Sequence, residues 1–406
     1  MFDGAPLLDD LLLDVATTIE LSDRDRRVAN TRYRELKRHL ERPTSVLARL
    51  LAQPGSLIYP QGSAATGTTI VGGERDDRFD LDAIVECRVP LDWSPGKVLD
   101  QLHIALQGFP DVHEIERCTR CVQLRFAFMH LDVTVLDPAA EPRQPRGGEI
   151  FHAPESGLSY RAFANPYGFA LWFRSRMEEN VEFQKAILAR RLAAGVDRLV
   201  GKAAEQEDLP EIIPPRADTQ RVVALKLLKR FTKGRFEKRD VRVPPSIYLA
   251  YFAATGFELD SGLCAQLEDL AQRLEDDLCS NIRAATTPDH RVNGDRLNDR
   301  WPANASDMTL YADDLEYLRR QLSRARTSVF ADVRKIFADL FGEGVGARSA
   351  DLFLKRAESA DAASTRVATG SGAVVSAASV AAPAIQRVTR PVPTHAFHSS
   401  VLRTRR

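Results

Sequence analysis

Three aspartates lie in two apolar segments of the 406-residue chain. Asp80 and Asp82 alternate with apolar residues over 79–86, and Asp132 does the same over 131–136. Side chains at i and i+2 of a strand share one face at a spacing of about 7 Å, so Asp80 and Asp82 point the same way. Aspartate is depleted in strands, and carboxylates gathered in this way can bridge two divalent cations about 3.5–4 Å apart. The pattern predicts a metal-binding cluster, provided that the two strands are neighbours.

A Gly-Ser pair precedes the first two aspartates. Gly62 and Ser63 follow the short strand predicted over 56–59. Glycine allows a close approach of the backbone, and backbone N–H groups together with a serine hydroxyl can hold phosphate oxygens. Most Gly-Ser pairs are ordinary turns, and a lone pair of strand aspartates is usually solvated. Only the occurrence of both motifs in this order points to a function. A phosphate-holding turn followed by three carboxylates indicates metal-dependent nucleotidyl transfer.

Composition excludes several other classes of protein. The 56 lysines and arginines balance 56 aspartates and glutamates, so net charge gives no argument for nucleic-acid or membrane binding. Five cysteines imply no disulfide framework and favour a reducing cytoplasm. The first residues lack a signal-peptide pattern, and no run approaches the roughly 20 apolar residues of a membrane helix. We therefore expect a cytoplasmic protein with no membrane partner.

The elements that must position the aspartates can be predicted from apolar periodicity. Residues 7–52 read as helical, with Ser22 as an N-cap, and we expect this element to pack along the back of the sheet. Residues 55–137 read as a mixed α/β core that contains the strands described above. Residues 139–165 are rich in Pro, Gly and charge and read as a surface loop.

Helical periodicity dominates the chain up to about residue 357. The predicted helices cover 169–192, 217–232, 244–254, 260–281 and 307–341. Beyond them the composition shifts to Ala, Ser, Thr, Val, Gly and Pro with scattered Arg, which is typical of disorder. We therefore predict three parts: an α/β nucleotidyltransferase core at 1–205, a helical domain at 206–357 that completes the active-site cleft, and a disordered tail at 358–406.

Several segments together resemble the bacterial cGAS/DncV-like nucleotidyltransferases, the CD-NTase (SMODS-type) family of CBASS antiphage systems. The Gly-Ser and aspartate pattern is common to the wider polymerase-β-like superfamily, whereas the later segments make the match narrower. The matching segments are Gln61–Ser63 with Gly67-Thr68, Asp80–Asp82, Asp132, Asn165–Phe173, Leu227–Arg230, Pro244–Ile247 and Asn298–Trp301. The stretch Val292–Leu297 departs from the Asn-Pro…Glu-Asn pattern that often precedes Arg-Trp in the family. The resemblance covers roughly residues 20–340.

The resemblance implies a polymerase-β-like fold, a mixed sheet with a long N-terminal helix and a helical second domain. It implies that Asp80 and Asp82 bind two Mg²⁺ ions, with Mn²⁺ as a substitute. It implies that Asp132 binds the ion that activates the attacking hydroxyl and also accepts the proton of that hydroxyl.

The same resemblance implies which residues contact the substrates, ATP and other NTPs. Ser63 is expected to hold the β- and γ-phosphates within the motif Gln61-Gly62-Ser63. Lys229 and Ser246 are expected to clamp the triphosphate from the helical domain. An exposed lysine on an amphipathic helix and a serine N-cap after Pro-Pro are the ordinary structural readings of these last two residues.

The implied product is a cyclic di- or trinucleotide, made with release of pyrophosphate. In the family such a product is a messenger that activates an effector protein in antiphage defence. The resemblance also suggests the tail as a handle for a regulatory or conjugating protein. Base identity, ring size and linkage stay open at this point.

Two other functions are compatible with the sequence. A transferase acting on RNA ends or on a protein would extend a macromolecular acceptor instead of joining free NTPs. A catalytically silent nucleotide sensor would keep its function after loss of Asp80 and Asp82. A third reading, an antitoxin-type transferase, is disfavoured because such chains are usually much shorter.

Other candidate functional residues have ordinary structural explanations. Cys118 and Cys121, with His113 and His130 nearby, have a spacing found in zinc sites, but no second cysteine pair is close, and we predict plain thiols.

Arginine-rich stretches at 24–38 and 221–239 contain apolar positions typical of solvated helix faces, so nucleic acid is not required. Arg143 and Arg146 read as part of a solvated loop, with a flap near the site as the alternative.

Overall fold

The computed structural model describes residues 4–71, 79–140, 146–193, 218–237 and 239–364. Its helices are α1 (Gly4–Thr18), α2 (Asp23–Glu41), α3 (Ala48–Leu51), α4 (Gly62–Thr66), α5 (Pro95–Leu106), α6 (Pro166–Ser175), α7 (Val181–Ala193), α8 (Gln220–Phe236), α9 (Ser246–Thr255), α10 (Leu263–Ala284), α11 (Ala305–Ala325), α12 (Phe330–Phe341) and α13 (Arg348–Ser364), with a π-helical turn at Glu343–Ala347. Its strands are β1 (Leu57–Gln61), β2 (Phe79–Glu86), β3 (Glu114–Arg117), β4 (Val122–Arg125), β5 (Met129–Pro138), β6 (Gly148–His152), β7 (Tyr160–Ala164), β8 (Arg291–Val292) and β9 (Asp295–Arg296). The predicted α/β class is confirmed.

Among the described residues, seven strands form one mixed sheet in the order β1-β2-β5-β4-β3, and β6 pairs with both β5 and β7. Strands β2 and β5 are parallel, while the other pairs in this sheet are antiparallel. Two parallel neighbours need a crossover connection, and the segment between β2 and β5 contains helix α5. The strands that carry the aspartates are therefore neighbours, as the sequence argument required.

Strand register aligns polar residues from four strands in one row. Asp82 on β2 is paired with Asp132 on β5. Gln61 on β1 is the partner of Asp82 on its other side, and Gln123 on β4 is the partner of Asp132. Because residues opposite each other in neighbouring strands project to the same face, this row gathers its side chains on one side of the sheet.

The opposite side of the sheet packs against α2 and α5, where Leu36, Leu102 and Leu131 are fully buried in one apolar core. Ser22 caps α2 as predicted: its hydroxyl accepts a hydrogen bond from the Asp25 amide at 3.2 Å. The polar face of α2 turns outward, which fits its single apolar stripe.

Helix α1 does not join this core, so the expectation that 7–52 packs along the sheet is wrong for its first helix. Leu8, Leu11, Leu12 and Val15 of α1 lie in a second core with helices α6 to α12. An element that is apolar on most of its circumference must be surrounded, and α1 is buried by helices on several sides.

Helix α8 lies at the centre of the second core. Arg221, Lys226 and Arg230 are all buried, so the expectation of a solvated face for 221–239 is wrong for most of α8. Their charges have internal partners: Lys226 bonds Asp218 at 2.7 Å, and Arg230 donates to the carbonyl of Phe341 at 2.9 Å. Paired charges let a basic sequence occupy a core, which periodicity alone does not reveal.

The segment 139–165 contains β6 and β7, which form an antiparallel hairpin, so the prediction of a loop is wrong for much of it. Strand β6 continues the sheet by pairing Ile150 with Leu136. The two strands are short and only partly buried, and such strands carry little alternation for a sequence argument to detect.

The chain divides into a unit at Met1–Phe353 and a second unit at Leu354–Arg406. Helix α13 continues to Ser364, which covers residues 358–364 of the predicted tail. The rest of that tail and the predicted boundary at 205/206 lie outside the described residues. The proposed division into domains stays a prediction.

Candidate active site

The turn between β1 and α4 is built tightly against the carboxylates. Gly62 has φ +60°, and a Cβ added there would lie 2.2 Å from Oδ2 of Asp82. A residue with a side chain would be strained and would also collide with Asp82. The Ser63 hydroxyl lies 3.0 Å from the Thr69 hydroxyl, and the Ser63 carbonyl accepts a hydrogen bond from the Thr68 amide. The turn is thus held by hydrogen bonds between its own residues, and Gly62 packs closely against the Asp82 carboxylate.

The three aspartates come from neighbouring strands. Asp80 and Asp82 are two residues apart on β2, and Asp132 lies opposite Asp82 on β5. The Asp132 carboxylate accepts a hydrogen bond from Gln123 at 2.8 Å. Asp80 is the most exposed of the three and lies 3.6 Å from Nδ1 of His130. The predicted convergence of strands β2 and β5 is what the structure shows.

The surroundings of the Asp82 and Asp132 carboxyls oppose their ionisation. Burial, then Asp132 and Asp80, raise the pKa of Asp82 to about 7, against a partial lowering by Lys229. Burial also raises the pKa of Asp132, although its hydrogen bond from Gln123 works in the other direction. Two half-buried carboxyls that resist ionisation next to each other are typical of functional sites, where a bound cation normally balances the charge.

Lys229 and Ser246 reach the same cavity from the helices. Lys229 on α8 donates a hydrogen bond to the Thr68 carbonyl at 2.8 Å. Burial lowers the pKa of Lys229 to about 8, and Asp82 and Asp80 partly restore it. Ser246 is the first residue of α9, with Pro245 at the N-cap and no side-chain capping bond, so the N-cap reading of this serine is wrong.

All eight residues singled out from the sequence line one cavity of about 690 Å³ between the sheet and the helices. They are Gln61, Gly62, Ser63, Asp80, Asp82, Asp132, Lys229 and Ser246. A cavity of this size is large enough for a drug-sized ligand. Carboxylates lie on its sheet side, while the lysine and a run of small and apolar residues lie on its helical side.

The donor set of the cavity fits Mg²⁺. Across the described ranges, no three His, Cys, Asp or Glu side chains are grouped closely enough to hold a metal ion by themselves. Mg²⁺ usually takes only one or two protein carboxylates and completes its octahedron with water and substrate phosphates. Asp82 and Asp132 supply hard oxygen donors whose mutual repulsion a cation would relieve, so the residues present suit this ion.

Sequence reasoning missed several groups in and beside the cavity. Gln123 binds Asp132, and Tyr33 donates to the Asp82 carbonyl at 3.1 Å. A signal for Gln123 was present, because apolar Val122 and Leu124 alternate around it and leave it on the other face of β4. Thr69 next to Ser63 carried no such signal.

Two asparagines in the other matching segments have structural roles in this chain. Asn165 is fully buried and caps α6 by accepting a hydrogen bond from the Gly168 amide at 2.8 Å. Asn298 is also buried and donates to the carbonyls of Pro288 and Trp301. Neither asparagine lines the cavity, whereas Pro166, Phe169 and Ala170 of the segment that begins at Asn165 do.

The weaker candidates have plain environments. Cys118 and Cys121 are free thiols in the connection between β3 and β4. Arg146 lies near Glu86, at 3.3 Å, and over the ring of Tyr167. Arg143 lies outside the described residues.

A mixed sheet that presents aspartates from two parallel strands to a Gly-Ser turn, with helices closing the cavity, defines a nucleotidyltransferase of the polymerase-β-like class. Comparisons with known proteins agree. The chain is 33% identical over 361 residues to the cyclic dinucleotide synthase CdnG of Bradyrhizobium diazoefficiens, covering 86% of this chain and 84% of that protein. The structure of the same CD-NTase in complex with GTP matches with a TM-score of 0.69 and 30% identity, covering 85% of this chain and 97% of that one. The chain belongs to the bacterial cGAS/DncV-like nucleotidyltransferase (CD-NTase) family.

A more distant neighbour is the cyclic AMP-GMP synthase DncV of Vibrio cholerae, with 14% identity, a TM-score of 0.49, and coverage of 73% of this chain and 71% of that one. No protein-family model matches the chain. In the part of the chain that the structure describes, none of the helices has the length and apolar character needed to span a membrane.

Proposed function

We propose that this enzyme joins nucleoside triphosphates into a cyclic dinucleotide with release of pyrophosphate. The observation that carries the proposal is the strand register that places Asp82 beside Asp132 and opposite the Gly62 turn. Family membership supports the same reaction, since the relative CdnG is a cyclic dinucleotide synthase. A cyclic trinucleotide, which the sequence alone left open, has less support.

The triphosphate of the donor nucleotide is proposed to lie between the turn and helix α8. Ser63 and Lys229 both line the cavity, and Ser246 also lines it at the start of α9. Lys229 donates a hydrogen bond to the Thr68 carbonyl, so it is already oriented toward the turn. A phosphate would replace that carbonyl as the acceptor and would gain a charge-assisted hydrogen bond.

Asp80, Asp82 and Asp132 are the residues that would hold two Mg²⁺ ions. When bound, Mg²⁺ neutralises phosphate charge and makes a hydroxyl a better nucleophile. Asp132 is proposed to orient the attacking ribose hydroxyl and to accept its proton, and Gln123 fixes the Asp132 carboxylate for this task. Positioning of the two nucleotides supplies most of the remaining rate enhancement, as in other phosphoryl transfers.

GTP is proposed as one of the substrates because the relative that matches over most of both chains binds GTP. A single family member does not fix the second base, which depends on the side chains of the helical wall. The product is proposed to act as an intracellular messenger in CBASS antiphage defence and to activate an effector protein. The enzyme is proposed to work in the cytoplasm, with the tail as a site for a regulatory or conjugating protein.

The direct test incubates the full chain with Mg²⁺ and all four NTPs, one α-labelled at a time, followed by phosphatase and mass spectrometry. The expected result is a phosphatase-resistant cyclic dinucleotide that contains guanine. The double variant Asp80→Ala/Asp82→Ala should make none. Asp92→Ala removes a 77% exposed aspartate side chain and serves as the matched control with normal synthesis.

Two outcomes would contradict the proposal. Labelled product that appears only on added cell RNA or protein would identify a macromolecular acceptor. Equal product from the double aspartate variant would separate the reaction from this cavity.

The biological role has its own test in phage-infected cells. The cyclic product should accumulate during infection, and survival of the culture should be lost with Asp80→Ala/Asp82→Ala. If the culture carrying this variant still survives infection, the cyclic product is not required for defence.

A further inference from the structure

The hairpin between β3 and β4 places two cysteines directly opposite each other. Arg117 pairs with Val122 at the end of the ladder, and the next opposed pair is Cys118 and Cys121. The Cys118 amide donates to the Cys121 carbonyl at 2.9 Å, which closes the loop around Thr119 and Arg120. Opposed residues of a hairpin have Cβ atoms about 4.5–5.5 Å apart, close to the separation that a disulfide spans.

The second of these cysteines lies beside the candidate active site. Cys121 lies two residues before Gln123 on the same face of the hairpin, and Gln123 binds Asp132. Because Gln123 and Asp132 are partners in the strand register, Cys121 is a diagonal neighbour of Asp132 on the adjoining strand. Asp132 therefore has Gln123 as a hydrogen-bond partner and the Cys121 thiol as a second side-chain neighbour, and oxidation would remove this thiol.

The two cysteines face each other across the two-residue turn, and both are partly exposed. A small oxidant can reach a pair of this kind without unfolding the sheet. In the described part of the chain, no third Cys, His, Asp or Glu completes a metal cluster with them. The pair has the arrangement of a dithiol and lacks the ligands of a zinc site.

We propose that Cys118 and Cys121 are a reversible oxidation site, and that their disulfide slows the enzyme by withdrawing the Cys121 sulfur from Asp132. The oxidant is a small-molecule disulfide such as oxidised glutathione. The effect on turnover rests on the proposed function of Asp132, whereas formation of the disulfide does not.

The chemistry is two successive thiol–disulfide exchanges. One cysteine thiolate attacks a glutathione sulfur, forms a mixed disulfide and releases one glutathione thiol. The other cysteine thiolate then attacks the protein sulfur of the mixed disulfide and releases the second glutathione thiol. The protein loses two electrons and two protons, and one oxidised glutathione becomes two reduced molecules. A dithiol reductant reverses both steps.

The hairpin loop is held at both ends of its turn, so the change would be local. The Thr119 carbonyl accepts from the Ala153 amide at 2.9 Å, and Arg120 forms an ion pair with Asp299. Strands β3 and β5 flank β4 on opposite sides, so a bond from the Cys121 sulfur to Cys118 draws this sulfur away from Asp132. Gln123 remains as an orienting partner, so we expect slower catalysis and weaker metal binding instead of complete loss.

The test treats the reduced full chain with oxidised glutathione and digests a sample with trypsin. Cleavage after Arg117, Arg120 and Arg125 puts Cys118 and Cys121 on separate peptides that stay together only through the disulfide. We expect this linked pair, and its loss after dithiothreitol. Mn²⁺ binding followed by electron paramagnetic resonance should weaken, and cyclic product formation should fall roughly tenfold, the scale of one hydrogen bond to a charged group.

Cys118→Ser is the key variant because it keeps the Cys121 thiol beside Asp132 but cannot form the bridge. Intact mass separates bridged protein from glutathione adducts, and Mn²⁺ binding is compared on adduct-free fractions. The variant should keep full Mn²⁺ affinity after oxidant, and Cys279→Ser should behave like the wild type. Absence of the linked peptides, or bridged protein with unchanged Mn²⁺ binding, would overturn the proposal. Reduced protein that makes no cyclic product would instead count against the proposed function, since both other readouts are independent of synthesis.

Discussion

The Asp82 carboxyl lies where burial and two neighbouring carboxyls oppose its ionisation. Its pKa of about 7 is above the ordinary value near 4. For a carboxyl with a raised pKa, the favourable contribution to folding is complete below pH 4 and is lost as the pH rises through about 7. The metal-free protein should therefore carry a local electrostatic penalty at neutral and alkaline pH.

Replacing Asp82 with Asn should remove that penalty and also remove activity. We expect Asp82→Asn to raise the free energy of unfolding of metal-free protein by roughly 1–4 kcal/mol at pH 8, since each pKa unit corresponds to about 1.4 kcal/mol. The gain should shrink at pH 5, where the wild-type carboxyl is already protonated. Urea denaturation in EDTA at both pH values measures this, with Asp92→Asn as control. An equal change at both pH values would show that the effect is packing and not charge.

Lys229 is the cationic counterpart of these carboxyls. If it clamps the triphosphate, Lys229→Met should raise the KM for NTPs by roughly 10- to 100-fold, the value of a hydrogen bond between charged groups. Because burial lowers its pKa to about 8, wild-type NTP affinity should fall as pH rises through this value, and the variant should lack this step. Steady-state kinetics from pH 7 to 9 provide the test. Lys335→Met, at an exposed position, is the control, and an unchanged KM for Lys229→Met would refute the clamp.

At the scale of single elements, the turn from β1 into α4 is the most constrained piece of backbone at the site. Gly62→Ala would force a side chain onto a left-handed φ of +60° and against Asp82. We expect a loss of about 1–3 kcal/mol of stability and at least a tenfold fall in activity, because strain and a misplaced carboxylate act together.

The chain contains a matched control for this substitution. Gly67 has φ +73°, but a Cβ added there meets nothing within 4 Å. Gly67→Ala should show the conformational cost without the collision, so activity should stay close to wild type. Thermal unfolding and initial rates of both variants separate the two contributions. Equal loss of activity in both would show that the contact with Asp82 is unimportant.

The elements that the sequence predicted well are those with one clear apolar face. The capping box at Ser22 and the alternation around Asp80, Asp82 and Asp132 both correspond to structure. Register was not predictable in this way, because a one-residue slip in β5 would have turned Asp132 away and only the pairing itself fixes it.

Elements whose environment depends on distant parts of the chain were predicted poorly. Helix α1 was assigned to the sheet because nothing local distinguishes one apolar surface from another. Helix α8 was predicted to be solvated because it is rich in basic residues. The acidic partners of these residues, such as Asp218 and Glu258, lie outside the helix and are not apparent from its own sequence. In both cases tertiary burial overrides the local pattern.

At the scale of the whole molecule, a buried ion cluster joins segments far apart in sequence. Glu20 follows α1, Arg191 lies on α7, Asp218 lies just before α8, and Lys226 lies within α8. Burial raises the pKa of Glu20, but Lys226 and Arg191 outweigh it, so the net shift is downward. Because the N-terminal part of α8 meets α7 and the end of α1 here, the cluster couples the N-terminal helix to the helical wall of the cavity.

Glu20→Gln should therefore weaken the whole unit and not only one helix. Without the Glu20 carboxylate, the buried charges of Arg191 and Lys226 are only partly balanced. We expect the free energy of unfolding to fall by about 3–5 kcal/mol at pH 7. A carboxyl with a lowered pKa contributes stability above its unfolded pKa and loses it as pH falls, so the difference from wild type should narrow below about pH 4. Urea unfolding at pH 7 and pH 4 measures it, with the exposed Glu182→Gln as control. Since Lys226 and Lys229 are on the same helix, a cooperative loss of structure would also lower NTP affinity near the midpoint, whereas a loss confined to α1 would leave NTP affinity intact and would contradict this coupling.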